Sequence, residues 1–305
     1  MDITAITIGE FTIYEILWFF LIYSFLGWVL EVIYQAAAKG IVANRGFLNG
    51  PVCPIYGFGM IGIMLLLNSV FDAPAEKISA VLVFLIGLVV ATLLELFGGW
   101  ALDKLFHARW WDYSNKPFNL NGYICPEFSL YWGFGTVLAV RLLHPFVART
   151  TVDVWPKEIG WPVAIMFFAI FIADVVITVM IVVGLNKKLE ELDDLRASMR
   201  TVSDELSTAL GNHSLQTVQR MEEGRIQVAL ARKYLEEDRE KLSQDLREKV
   251  QDLLDRENEI IDEEEVLYKR ITKGKIFGPR RLLRAFPDLK IPDHMALIKD
   301  LRNRL

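Results

Sequence analysis

Three carboxylates stand inside long apolar runs, where an ionised group is expensive unless it is paired, protonated or hydrated: Glu31, Glu95 and Asp174. Glu31 and Glu95 occupy matching places. Each lies seven residues before the end of its apolar run, and each has a small residue four positions earlier, Gly27 or Ala91. Two carboxylates at one depth in a bundle would face each other, share a proton and raise one pKa. That arrangement suits a proton relay or a cation site. An equally open reading has each glutamate accept hydrogen bonds from a neighbouring helix or loop and simply fix the fold. Asp174 needs a partner or a proton and is a candidate third member of such a pathway. Arg45 is a candidate partner for Glu31, by default as a structural salt bridge.

A second set of residues recurs. Leu48-Asn49-Gly50-Pro51-Val52-Cys53-Pro54 returns 72 positions later as Leu120-Asn121-Gly122-Tyr123-Ile124-Cys125-Pro126. Gly57-Phe58-Gly59 and Gly133-Phe134-Gly135 follow the two copies. Asn-Gly is a turn dipeptide, and proline suits the first position of a helix, which places Cys53 and Cys125 at helix N-caps. A thiol there can have a lowered pKa, and exposed amides there can bind an anion. The blander reading is a turn that seats each helix against its repeat mate. Asn49, Asn121, Cys53 and Cys125 are therefore binding or pathway candidates rather than catalytic ones, and no metal site is expected from two cysteines without paired histidines.

These residues must be positioned by membrane spans. About 20 helical residues cross roughly 30 Å of hydrocarbon, and five segments reach that length: Ile16–Ala38, Ile55–Val70, Ile78–Leu102, Phe128–Val147 and Trp161–Leu185. The fold class expected is an all-α polytopic membrane helix bundle. Residues 1–185 form it, with repeat 1 at about 16–70, repeat 2 at about 78–147 and a connector helix at 161–185. Two helices per repeat return the chain to the same side, so the copies are related by an axis along the membrane normal. Short loops on one side carry seven basic residues and those on the other carry three, which predicts an outside N-terminus and a cytoplasmic C-terminus in the cell membrane. No cleavable signal peptide is expected. The aromatic run Trp110-Trp111-Asp112-Tyr113 suits an interfacial belt.

Past the bundle the composition changes. Residues 186–270 carry 22 acidic and 15 basic side chains, with Leu192, Leu195, Met199, Val202, Leu206 and Ala209 at heptad-like spacing. Gly211-Asn212 is a stop, and a second helix carries Leu246, Leu253, Ile260 and Leu267 at sevens. This predicts a cytoplasmic coiled-coil or helical-hairpin arm. Residues 271–305 form a basic tail with 9 basic and 3 acidic residues, whose Arg280–Phe286 stretch suits a membrane surface. Lipids and a protein partner, not nucleic acid, fit that charge pattern.

The stretch Tyr23–Glu31, followed by Asn44–Pro51 and Cys53–Gly57, resembles the bacterial family called putative ABC-transporter type IV, or CmpB-like. The resemblance covers roughly residues 15–150 and implies a permease-like role. No phosphate-binding G-x-x-x-x-G-K-[ST] loop is present, so the chain is expected to lack an ATPase of its own and to use no cofactor. The expectation is a non-enzymatic permease or transport-associated membrane subunit, itself a homo-oligomer, that meets a separate ATPase or other protein through its arm. The alternative is a membrane-anchored scaffold or sensor that recruits cytoplasmic partners. A membrane enzyme using Cys53 or Cys125 is a third reading.

Overall fold

The computed structural model describes residues 7–40, 42–71, 77–149, 156–209, 244–274 and 278–305. The proposed stop at Gly211-Asn212 lies outside them, as do the side chains of Ala209 and Leu246. A two-residue hairpin, β1 (Thr7–Ile8) and β2 (Phe11–Thr12), leads into α1 (Ile13–Lys39). Thr12 and Glu15 form a capping box: the Thr12 hydroxyl accepts the Glu15 N–H at 3.3 Å, and the Glu15 carboxylate accepts the Thr12 N–H at 2.6 Å. This cap extends the helix three residues before the expected start. Gly40, at φ 67°, ends it in the left-handed region.

Four further elements cross with it. They are α2 (Pro54–Phe71), α3 (Ala80–Phe106), the run α4 (Pro126–Leu138), a π-helical turn (Ala139–Leu143) and α5 (His144–Val147), and α6 (Lys157–Ala209). All five are long and apolar enough to span a bilayer, so the chain is a multi-pass membrane helix bundle. The expected end of the fifth span at Leu185 is not an end. The helix runs on to Ala209, 53 residues in all, because Lys187, Lys188, Glu190 and Glu191 favour helix as strongly as the apolar residues before them. Arg141, within the π-helical turn, donates to the Ile78 carbonyl just before α3 begins.

The chain divides into two units, 1–183 with 274–293, and 184–273 with 294–305. In the first, one apolar core draws residues from all five spans: Tyr14, Met64, Val83, Val140, Val147 and Ala164. It fills the half of the bundle away from the two long loops. Hydrocarbon provides no hydrophobic drive between helices, so close approach at small residues matters. A Cβ on Gly87 would stand 2.3 Å from Thr136, and one on Gly27 would stand 2.2 Å from Tyr56. Gly87→Val is therefore expected to separate α3 from α4, costing about 2–3 kcal/mol of stability, and is checked by thermal unfolding of the purified protein.

In the second unit, α6 runs antiparallel to α7 (Gln244–Thr272). Val202 and Leu206 pack with Val250, Leu253 and Leu254, while Arg196 lies beside Glu264. The chain then leaves this unit. Residues 278–293, with α8 (Pro279–Ala285), group with the bundle, and α9 (Met295–Asn303) returns to the second unit. Leu282, Leu283, Ala285 and Phe286 are buried against protein, so this stretch is not the free membrane-surface helix its sequence suggested.

Candidate functional site

Glu31 and Glu95 are brought into one connected cluster. Glu31 accepts a hydrogen bond from the Tyr56 hydroxyl at 2.7 Å, and its other oxygen lies 3.5 Å from Arg45 Nε. Gly27 makes this possible, because any side chain there would collide with the Tyr56 ring. Glu95 is buried, at 6% exposure, and accepts from the Tyr113 hydroxyl at 2.8 Å and the Trp132 indole N–H at 3.2 Å. Tyr56 and Trp132 meet edge to face at 5.5 Å. The sequence of contacts is Glu31, Tyr56, Trp132, Glu95. The two carboxylates differ in one respect: Glu31 has a guanidinium partner, while Glu95 has only neutral donors among the described residues.

Tyr113 was expected in an interfacial belt. Instead it turns inward onto Glu95 and stacks on Phe128 at 4.6 Å. Burial, and then the Glu95 carboxylate, push its phenol well above the ordinary value, so it serves as a donor. Trp110 is buried, and the Trp111 indole donates to the Tyr123 carbonyl at 2.9 Å. The aromatic run is thus the inner lining of the second loop.

Asp174 holds the first loop. Its carboxylate accepts the Asn49 N–H at 3.1 Å, the Asn49 side-chain amide at 3.1 Å and the Gly50 N–H at 2.7 Å. Asn49 also donates to Thr178 Oγ1 at 2.8 Å. Across the same loop, the Trp28 indole donates to the Asn44 side chain at 2.7 Å. Cys53 follows, buried, with its N–H on the Ser24 carbonyl at 2.8 Å. Burial first, then the Glu31 charge, push its thiol up to about 12, the opposite of an activated N-cap thiol.

The matching residues of the second loop have other roles. Asn121 is exposed, takes φ 51°, and offers its carbonyl to Arg109 at 3.1 Å. Among the described residues no aspartate accepts from it as Asp174 accepts from Asn49, because α6 follows only once. Cys125 caps α4 without a side-chain hydrogen bond and is buried. Among the described residues no group of three His, Cys, Asp or Glu side chains could hold a metal ion.

The sequence reading passed over Tyr56, Trp132, Ser24 and Gln35. Ser24, Glu31 and Gln35 recur at seven and four along α1, one helical face. Ser24 and Gln35 are fully buried, and neither the Ser24 hydroxyl nor the Gln35 amide has a hydrogen-bond partner among the described residues. A polar residue recurring at helical spacing in an apolar span was the available signal.

A family model described as putative ABC-transporter type IV matches residues 18–179. No curated protein and no solved structure matches the chain.

Proposed function

The chain belongs to the putative ABC-transporter type IV family, and from that premise we propose that it is a permease or transport-associated subunit whose polar pathway runs past Glu31 and Glu95. The observation that carries this reading is the buried polar face of α1. Ser24 and Gln35 flank Glu31, and their hydroxyl and amide, within a membrane span, lack hydrogen-bond partners among the described residues. Orphaned polar groups at that depth are costly, and water or a polar cargo would satisfy them. Proton carriage is assigned to Glu95, which has only neutral donors among the described residues, while Glu31 is paired with Arg45. The cargo class is a proton or small cation. The loops lie on the cytoplasmic side in this reading, the N-terminus outside. A separate ATPase or other protein supplies what this non-enzymatic chain lacks, and the assembly is a homo-oligomer without a resident cofactor.

Proteoliposomes carrying a pH-sensitive dye test the pathway. Wild-type protein is expected to dissipate an imposed proton gradient, and Glu31→Gln with Glu95→Gln is expected to abolish that flux while inserting normally. Retained flux in the double variant removes the pathway. Glu95→Gln alone is expected to cost at least about tenfold, more than Glu31→Gln, since proton carriage is assigned to it.

A second reading, a membrane-anchored scaffold, is favoured by the continuation of α6 into a unit with its own buried ionic cluster. Deleting residues 190–305 does not separate the two readings cleanly, because it also strips residues 278–293 from the bundle. No flux in wild type, with loss of a bound cytoplasmic protein on substituting exposed residues of α7, favours the scaffold.

A further inference from the structure

The basic tail contains a segment that grips both loops. Arg281 is buried, at 7% exposure, and its guanidinium donates to three carbonyls of the first loop: Asn44 at 3.3 Å, Gly46 at 3.1 Å and Phe47 at 3.1 Å. The next residues of that loop, Asn49 and Gly50, give their amides to Asp174. One short stretch, Asn44–Gly50, thus has three of its carbonyls held by a cation and two of its amides by an anion. A few residues on, the same segment reaches the second loop. Lys290 exchanges two backbone hydrogen bonds with Arg109, at 2.8 and 2.9 Å, and its ammonium pairs with Asp112 at 2.5 Å. The segment's Leu282, Leu283, Phe286, Leu289 and Ile291 side chains are buried. Both ends of the segment continue into the second unit, at 273 and at 294.

We propose that the Asn44–Phe47 carbonyls form a guanidinium-binding site, that Arg281 is its resident ligand, and that this occupancy straps the loops shut over the carboxylate pair. The ligand class follows from the geometry. Three carbonyls from one turn of loop match a planar fork with donors on both terminal nitrogens, which an ammonium cannot reproduce. Burying a guanidinium is costly, so the site holds only while all three acceptors and the Asp174 charge behind the loop are in place. The strap lies outside residues 18–179, the region matched by the family, yet it is anchored on that region. Like α6, it joins the second unit covalently to residues that hold the loops. The inference does not depend on what crosses the membrane.

Cys53 reports on the site, since Gly46 packs against the Val52 carbonyl next to it. The full-length protein in detergent micelles, carrying Cys125→Ser, is labelled with a maleimide at Cys53. Arg281→Ala is expected to speed labelling by at least about tenfold, and Arg281→Lys by a smaller factor. Labelling of Cys125 in a Cys53→Ser background is expected to stay slow in Arg281→Ala. Millimolar guanidinium ion is expected to slow Cys53 labelling again in that variant. Unchanged labelling in Arg281→Ala overturns the strap. Full protection by lysine overturns the guanidinium specificity. Equal acceleration at both cysteines means general loosening and overturns a local site.

Discussion

Replacing Asp174 with alanine is expected to release the first loop and to be among the most damaging single changes in the bundle. The Asn49 N–H, the Gly50 N–H and one Asn49 side-chain proton lose their common acceptor at once. Hydrogen bonds to a charged group contribute about 1.5–3 kcal/mol each in favourable cases, and the three share one partly buried carboxylate. A net loss of about 3–4 kcal/mol is expected. Asp174→Asn keeps one oxygen acceptor but adds a donor facing donors, so it is expected to recover less than half. The effect should spread to Glu31, because Arg45 is carried by the same loop and would lose its position 3.5 Å from that carboxylate. Thermal unfolding of the purified protein measures the first effect. An Asp174→Ala midpoint indistinguishable from wild type would remove the loop-holding role.

How much of this was legible follows from the range of the interactions. The five spans were readable because each depends on its own run of apolar residues and its own caps, which are local. Glu31 and Glu95 were readable as special because a carboxylate in such a run stands out by itself. Their partners were not. Tyr113 reads as an interfacial aromatic until the loop folds inward, and Tyr56 and Trp132 are ordinary residues of apolar helices. Asn49 and Asn121 illustrate the limit of the repeated sequence. The same Leu-Asn-Gly string gives a buried amide in one loop and an exposed turn residue in the other, because the acceptor is on α6, which has no repeat mate. Arg281 was hidden most deeply. Nine basic residues in the tail look alike, and only the Asn44, Gly46 and Phe47 carbonyls, more than 230 positions away, single one out.

The second large effect is expected at Arg196, outside the membrane spans. This guanidinium is 8% exposed and lies among three acceptors: Glu264 at 3.5 Å, Asp300 at 2.9 Å and the Tyr268 hydroxyl at 2.5 Å. It joins α6, α7 and α9 in one cluster. Removing one partner of a buried pair leaves the other uncompensated, a loss of about 3–5 kcal/mol, so Arg196→Ala is expected to loosen the second unit. Hydrogen exchange of the full-length protein reads this directly: amides of 244–272 and 295–303 should lose about two to three orders of magnitude of protection. The cluster also fixes a pH dependence. Burial alone would raise Asp300, but the Tyr268 hydroxyl, Arg304 and Arg196 hold its carboxyl below the ordinary range. A carboxyl depressed on folding contributes stability above its unfolded pKa, about 4, and that contribution is lost as pH falls through the folded value. Protection of α9 should therefore hold at neutral pH and fall below about pH 4 in wild type. In Arg196→Ala the acid-dependent part should shrink, because one of the groups that depresses Asp300 is gone. Equal acid sensitivity in the two proteins would mean that Tyr268 and Arg304 account for the depression of Asp300 without Arg196.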